Sequence, residues 1–509
     1  MARRTQQPAP ARRLARTLKS VFGIARLREG QQAVIERVLA GQHTLAVMPT
    51  GAGKSLCYQL PALLIEGRTV VVSPLIALMK DQCDKLVEQG VAAVQINSAL
   101  DGAESREALA AVADGSARIV FTTPEQLAQP GFREQLQQHP IGLLVVDEAH
   151  CISQWGHDFR PAFLEIADAA KALGQPTLLA LTATATEQVT QDIRQQLGIP
   201  TAGVVNTGAY RPNLHYTVEL VTDDTHKLER LQALLASLEG TGIVYCATVK
   251  AAEAVYEALL LARESVALYH GKRKADERRA AQDAFMEGKT RVMVATNAFG
   301  LGIDKPDTRF VLHWQMPSGL DAYYQESGRA GRDGSPATCT LLFLQRDKAV
   351  QQFFMAGRYP GLDELDALYA ALLREPGQSL SQLVERLGIP RTKLQVAVSL
   401  LRRLRIVGAD ATGHLRLLKD TLDTKTLHRL ADEYQGRREA DRVKLEQMVA
   451  YAQSGHCRWR ALLEHLEGDA PREDCGNCDS CLRLARHQAS QQAEAAGSTG
   501  SVVAAATLG

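Results

Sequence analysis

Leu45–Ser55, reading LAVMPTGAGKS, constrains the fold more than any other stretch. A short apolar run (Leu45, Ala46, Val47), a glycine-bearing loop and helix-compatible residues give strand–loop–helix, the context a phosphate-binding loop needs. Gly51 and Gly53 let the backbone curl so that its N–H groups face phosphate oxygens, with Thr50 in the same loop. Lys54 is expected to reach the β- and γ-phosphates, and the Ser55 hydroxyl to ligate Mg²⁺. The strict spacing asks for a glycine where Met48 stands, so the motif needs its partner. That partner is Leu143–Val146, a buried-strand run that ends in two carboxylates. Asp147 would hold the magnesium, and Glu148 would orient the attacking water.

Residues 20–205 alternate such apolar runs with helical patterns, among them Thr69–Ser73, Arg118–Thr122 and Thr177–Thr182. Alternation of this kind gives a parallel sheet with helices on both faces. Pro212 interrupts regular structure, so Tyr210–Asn213 reads as a linker. The pattern resumes beyond it with Gly242–Tyr245, Val266–Tyr269, Arg291–Ala295, Phe310–Trp314 and Thr338–Leu344. Two α/β lobes follow, and only the first carries a phosphate loop. The second offers QESGRAGRDG (325–334), in which Arg329 and Arg332 share a helix face. Either arginine could stabilise γ-phosphate charge, a contribution of about 10³–10⁵ in rate. Gln325 joins them as a candidate nucleotide contact, and the competing reading is a surface helix with salt-bridged arginines.

The motif set resembles the RecQ family of superfamily-two DNA helicases. FGIARLREGQ (22–31), SPLIALMKDQ (73–82), TTPEQL (122–127), DEAHCISQWGHDFRP (147–161), LTATAT (181–186), VATNAFGLGIDKP (294–306) and YYQESGRAGRDG (323–334) carry it. The resemblance implies two RecA-like lobes, ATP and Mg²⁺ as cofactors, and 3′→5′ unwinding of duplex DNA in repair, recombination or replication. It implies that Arg28 and Gln31 contact adenine, that His150 and Thr182–Thr184 relay nucleotide state, and that Asp304 helps close the cleft. The expected setting is a monomer in the cytoplasm, associated with the nucleoid. The chain departs from the family at Ile24 and Leu27, where aromatic residues are usual, so stacking on the base is weaker or supplied elsewhere.

Gln154–Arg160 follows shortly after the DEAH box (147–150) and mixes Trp155 and Phe159 with His157 and Arg160. Stacking of a base on an aromatic ring contributes about 1–3 kcal/mol and tolerates any sequence. The segment therefore reads as a loop that senses single-stranded DNA, against the alternative that Trp155 and Phe159 are core.

Farther on, Cys475, Cys478 and Cys481 form a tight triple, with Cys457 upstream in a helical segment. Such a set suits a tetrahedral Cys₄ zinc site of structural type. An iron–sulfur cluster and unliganded thiols are the alternatives. Between lobe two and the cysteines, Leu365, Leu368 and Leu372, then Leu380, Leu383 and Leu387, then Leu394, Val398 and Leu401, mark three helices. Ser379 and Gly388 punctuate the second helix, and a turn at Asp410–Gly413 makes a short hairpin. Three helices and a hairpin make a winged-helix domain, whose Arg391, Lys393 and Arg402 could contact duplex phosphates. A spacer module with a solvated basic face is the alternative. RecQ proteins usually place the zinc module before the winged helix, and here the order is reversed.

The expected layout is a disordered basic arm (1–19), lobe one (20–209), lobe two (210–352), the winged helix (353–420), the zinc module (421–482) and a disordered Ala/Ser/Gln-rich tail (483–509). A net charge of +1 excludes a bulk-charge argument for nucleic acid, so any such surface is a local patch. No apolar run approaches a membrane span. Nine cysteines without a secretion signal point to a reducing compartment. Two rivals remain at this stage: an RNA helicase with the same acidic motif, and a DNA-binding regulator whose motor is vestigial.

Overall fold

The computed structural model describes residues 9–153, 160–300, 305–357, 360–410, 414–419, 424–468 and 473–504. In lobe one the apolar runs become β1 (Thr44–Val47), β2 (Arg68–Val72), β3 (Ala93–Ile96), β4 (Ile119–Thr122), β5 (Ile141–Val146), β6 (Thr177–Thr182) and β7 (Val204–Asn206). They form a 7-stranded sheet in the order β3-β4-β2-β5-β6-β1-β7. Its neighbours pair in parallel. Both faces of this sheet are covered, which is why its strands are continuously apolar rather than alternating. Val70 and Val72 of β2 enter one core cluster with Leu144 and Phe163, while Val71 between them enters the other with Tyr58, Phe121 and Val145. Parallel strands point their carboxyl ends the same way. The loop after β1 and the acidic pair after β5 therefore emerge on one edge, where open α/β sheets bind ligands.

Lobe two repeats the plan with β8 (Leu214–Leu220), β9 (Thr241–Tyr245), β10 (Val266–Tyr269), β11 (Val292–Ala295), β12 (Thr308–His313) and β13 (Ala337–Phe343). Its 6-stranded sheet runs β10-β11-β9-β12-β13-β8. Leu231, Val244, Val255, Val292 and Leu312 are among its core residues.

By packing, the chain divides into two compact units: residues 1–314, 321–342 and 454–509, and residues 315–320 and 343–453. In the second, helices Leu362–Arg374, Leu380–Leu387 and Arg391–Arg403 are followed by an antiparallel hairpin of β14 (Val407–Ala409) and β15 (Leu415–Leu417). The leucines read from the sequence, Leu365, Leu368, Leu372, Leu383, Leu394 and Leu401, fill its core. Ser379 caps the middle helix reciprocally with Gln382, and Gly388 ends it in the left-handed conformation. The long helix Thr424–Gln453 clusters with this unit, whereas the cysteine-bearing residues beyond 453 pack with the lobes.

Two expectations are corrected. The basic arm is not disordered over its second half: Ala9–Phe22 is a helix. Leu14, Leu18 and Phe22 recur every four residues and pack on Ile35, Leu56 and Leu60, so Leu18 is buried despite its arginine neighbours. The Ala/Ser/Gln-rich tail continues the helix Asp479–Ala504. Alanine and glutamine are good helix formers, so the composition that lacks a core still favours this state. No described helix is long and apolar enough to cross a membrane.

Candidate functional site

The phosphate loop leaves β1 at Met48, and Gly51 and Gly53 carry φ +85° and +78°, angles that an L side chain rarely adopts. A Cβ on Gly51 would lie 3.3 Å from Arg332 Cγ of lobe two, so the arginine loop rests directly on the phosphate loop. Gln31 braces the loop from below, donating to the carbonyls of Ala52 (3.1 Å) and Gly53 (2.9 Å) and accepting from the Arg28 N–H (2.7 Å). The Arg28 guanidinium donates to the Gly51 carbonyl. Lys54 Nζ donates to the Met48 carbonyl at 3.1 Å. The Ser55 hydroxyl accepts from Gln82 Nε2 at 2.9 Å, and Tyr58 donates to the same glutamine.

At the end of β5, Glu148 adopts φ 49° and ψ 46°, a left-handed conformation that a non-glycine residue holds at a cost of about 1–3 kcal/mol. Its N–H donates to Asp147 Oδ1 at 3.0 Å, and its Oε2 lies 3.4 Å from His150 Nδ1. His150 Nδ1 also sits 3.1 Å from the Thr182 hydroxyl, which donates to the Thr184 carbonyl at 2.9 Å. The expected relay residues are thus in contact. Asp304 lies outside the described residues.

Lobe two completes a cleft of about 600 Å³ lined by Arg28, Gln31, Thr50, Gly51, Gly53, Lys54, Ser55, Asp147, Glu148, Gln325, Arg329 and Arg332. Every residue expected at a nucleotide from the two lobes therefore faces one cavity. Ile24, Arg26 and Gln82 line it as well, and among the described residues no aromatic side chain lines it.

Charge inside the cleft is strained. Burial depresses the Lys54 ammonium, an effect that Glu148 and Asp147 oppose and Arg332 reinforces. Burial and the Glu148 carboxylate push Asp147 up to about 7 against the pull of Lys54. A polyanion beside the cations and a divalent cation beside the carboxylates would relieve both. The donor set thus suits a nucleoside triphosphate with its magnesium.

One contributor escaped sequence reading. Arg211, which falls in the Pro212 linker, is buried and donates to the carbonyls of Gly328 (2.7 Å), Ala330 (2.8 Å), Gly331 (2.6 Å) and Thr50 (3.3 Å). Its only signal was a lone arginine beside a chain-breaking proline. Gln82 was inside a quoted motif without an assigned role.

Of the residues assigned to DNA, Trp155, His157 and Phe159 lie outside the described residues. The flanks of their segment are tied down: Ser153 donates to Asp192 at 2.8 Å, and Arg160 donates to the Pro74 carbonyl at 3.2 Å. In the helical unit Arg391 and Arg402 are exposed. Lys393 instead pairs with Glu364 at 2.7 Å. Its ammonium is thus engaged within the fold rather than offered outward.

The sulfurs of Cys457, Cys475, Cys478 and Cys481 all lie within 4.8 Å of one another. Two of the separations are 3.4 Å (Cys478–Cys481) and 3.9 Å (Cys475–Cys481). Zinc–sulfur bonds of about 2.3 Å in a tetrahedron put sulfurs roughly 3.8 Å apart. The four thiols thus fit a single ion, and a multi-iron cluster would spread them farther. The Arg458 N–H donates to Cys478 Sγ (3.4 Å) and the Cys475 N–H to Cys457 Sγ (3.3 Å), contacts that favour thiolates. Around them Arg458 pairs with Asp479 (2.8 Å), and Trp459 donates to the Leu214 carbonyl (3.1 Å) and packs edge-on against the rings of Tyr210 and Tyr216.

Known proteins match in the same order along the chain. A DEAD/DEAH box helicase model matches residues 28–193, a helicase conserved C-terminal domain model residues 226–334, and a RecQ zinc-binding model residues 421–482. The ATP-dependent DNA helicase RecQ of Bacillus subtilis is 44% identical over 340 residues, covering 66% of this chain and 57% of the relative. The chain thus spans just over half of that relative's length. The ATP-dependent DNA helicase RecQ of Synechocystis sp. is 34% identical over 487 residues, covering 92% of this chain and 98% of the relative. The solved structure of the Mycobacterium smegmatis helicase Lhr bound to single-stranded DNA and AMP-PNP superposes with a TM-score of 0.56. It has 20% identity and covers 87% of this chain and 62% of that one, a likeness of fold. With the Synechocystis match running nearly the full length of both proteins, and the three models following the order of the lobes and the cysteines, the chain belongs to the RecQ family of helicases.

Proposed function

We propose that this chain is an ATP- and Mg²⁺-dependent DNA helicase that unwinds duplexes while translocating 3′→5′, in repair, recombination or replication. The observation that carries the reading is the single cleft in which Lys54, Ser55, Asp147 and Glu148 of one lobe face Arg329 and Arg332 of the other. In this reading the loop N–H groups and Lys54 bind the phosphates, and Arg28 and Gln31 bound the base. Ser55 and Asp147 would hold the magnesium, which would supply neutralisation of the phosphate charge. Glu148, held in its left-handed conformation, orients the attacking water. Arg329 and Arg332 stabilise the charge that develops on the γ-phosphate, and they do so only when the lobes are closed. Alternate closing and opening, driven by hydrolysis, moves the lobes along one DNA strand. Trp155, His157, Phe159 and Arg160, a few residues beyond the acidic pair, sense that strand. Arg391 and Arg402 contact duplex phosphates. The four cysteines hold a structural zinc, since four thiolates leave no open coordination position. The protein works as a monomer in the cytoplasm on nucleoid DNA.

The test is ATP hydrolysis with and without single-stranded DNA and with single-stranded RNA. DNA should raise turnover strongly and RNA should not. Hydrolysis equal in all three would contradict a DNA motor, and stimulation by RNA alone would assign the protein to RNA.

A further inference from the structure

The guanidinium of Arg211 occupies an unusual position: it touches both halves of the cleft and lines neither. It is contributed by the crossing between the lobes, just before β8. Nη2 donates to the carbonyls of Ala330 and Gly331, and Nη1 to those of Gly328 and Thr50. Three of these carbonyls belong to the loop that carries Arg329 and Arg332, and the fourth belongs to the phosphate loop. Asn213, two residues on, adds Nδ2 bonds to the carbonyls of Gly331 (2.8 Å) and Ser335 (2.9 Å), and its own carbonyl accepts from the Ala337 N–H (2.9 Å). Tyr324, from the helix leading into the loop, donates to the Ala209 carbonyl at 2.6 Å. The linker is thus stitched to the arginine loop along its length.

A loop with three of its carbonyls turned onto one cation is held from its backbone side, which leaves its side chains free to face the other way. Here the outward side is the cleft, and the side chains are Arg329 and Arg332. A charged donor to neutral carbonyls in a buried setting makes a strong bond, and the planar fork fixes direction as well as distance. Lysine has a single nitrogen and cannot reproduce that geometry. Displacing a catalytic group by about 1 Å lowers rate by roughly 10².

We propose that Arg211 is a positioning residue that joins the phosphate loop to the arginine loop, so that nucleotide held on Thr50–Ser55 sets the placement of Arg329 and Arg332. Arg211 touches no substrate atom; it acts through backbone carbonyls. The inference rests on the ATP-hydrolysing reading above. It goes beyond it by placing the coupling between lobes in the linker rather than in the motifs that face the nucleotide.

Arg211→Lys is the test, with Arg211→Met as a second variant that keeps the bulk of the stem and removes every donor. Each is compared with wild type for melting temperature, KM and kcat of ATP hydrolysis on single-stranded DNA, and affinity for ADP and for ADP with beryllium or aluminium fluoride. The expected result is a folded protein with ADP affinity and KM within about twofold of wild type. The kcat should be lower by roughly tenfold to a hundredfold, with a matching loss of affinity only for the fluoride complexes. Unchanged kcat in either folded variant overturns the proposal. So does an equal loss of ADP and fluoride-complex affinity, the signature of a merely structural residue. A wild-type protein that hydrolyses no ATP contradicts the motor reading instead, and is seen before any variant is compared.

Discussion

The cleft gathers its groups from Ile24 to Asp333, across two sheets, whereas the cysteine centre draws its four sulfurs from residues 457–481. The first is left under stress: Lys54 is depressed by burial, Asp147 is raised to about 7, and Glu148 sits in a strained conformation. The second is closed, with sulfurs at the spacing of one ion and an Arg458–Asp479 pair buried behind them. A site that must bind and release its occupant every cycle keeps its charges unreconciled until the occupant arrives. A site that keeps its occupant satisfies every group once. The distance between the contributing residues follows from this: a cleft built from two lobes can open, and a knot of local thiols cannot.

The sharpest way to break the contrast is at Glu148. Glu148→Gln keeps the shape and hydrogen-bonding reach of the side chain but removes its charge, so hydrolysis should fall by about 10²–10⁴. ATP affinity should be retained, and thermal stability held or raised. Lys54→Ala should abolish hydrolysis through lost phosphate contact. Steady-state turnover and nucleotide-binding titrations separate the two, and wild-type turnover in Glu148→Gln would remove its assigned role.

Cys478→Ser should act in the opposite sense, on folding before chemistry. Elemental analysis of the wild type should return about one zinc per chain. Apparent zinc binding contributes about 10–16 kcal/mol to small structural modules, so losing one of four ligands should empty the site and expose residues 454–482 to protease. A brown, iron-containing protein, or an unaltered digestion pattern, would refute the closed-zinc account.

The smallest effect concerns an ordinary surface pair, which bounds both special sites. Burial raises the Glu364 carboxyl, but hydrogen bonds from Lys393 and the Gly361 N–H outweigh it and hold it below its usual value. A carboxyl depressed in the folded state stabilises above its unfolded value of about 4.3 and loses that contribution as pH falls through the folded value. Lys393→Met should therefore destabilise by roughly 0.2–1 kcal/mol at pH 7, and by less at an acid pH where the carboxyl is becoming protonated. Denaturant midpoints at the two pH values measure it.

The phosphate loop, acidic pair, arginine loop and cysteine triple were legible because each is contiguous and its residue types are few. Local periodicity likewise revealed the three helices and hairpin of the second unit, whose leucines all reach one core. Arg211 was not legible, because its role depends on carbonyls more than a hundred residues away, to which sequence pattern is blind. The helix Ala9–Phe22 was hidden by its arginines, although Leu14, Leu18 and Phe22 carried the right spacing. The helix running to Ala504 was hidden by a composition that signals the lack of a core but not the lack of a helix. The pairing of Lys393 with Glu364 spans two helices and was likewise invisible in either one.

The central claim is that the cleft drives strand separation. Its most direct measurement is the unwinding of duplex DNA bearing either a 3′ or a 5′ single-stranded tail, by wild type and by Glu148→Gln, with ATP and Mg²⁺. The account predicts that wild type opens the 3′-tailed duplex, that omission of ATP abolishes opening, and that Glu148→Gln opens neither substrate. Opening without ATP, or equal opening by Glu148→Gln, would contradict it.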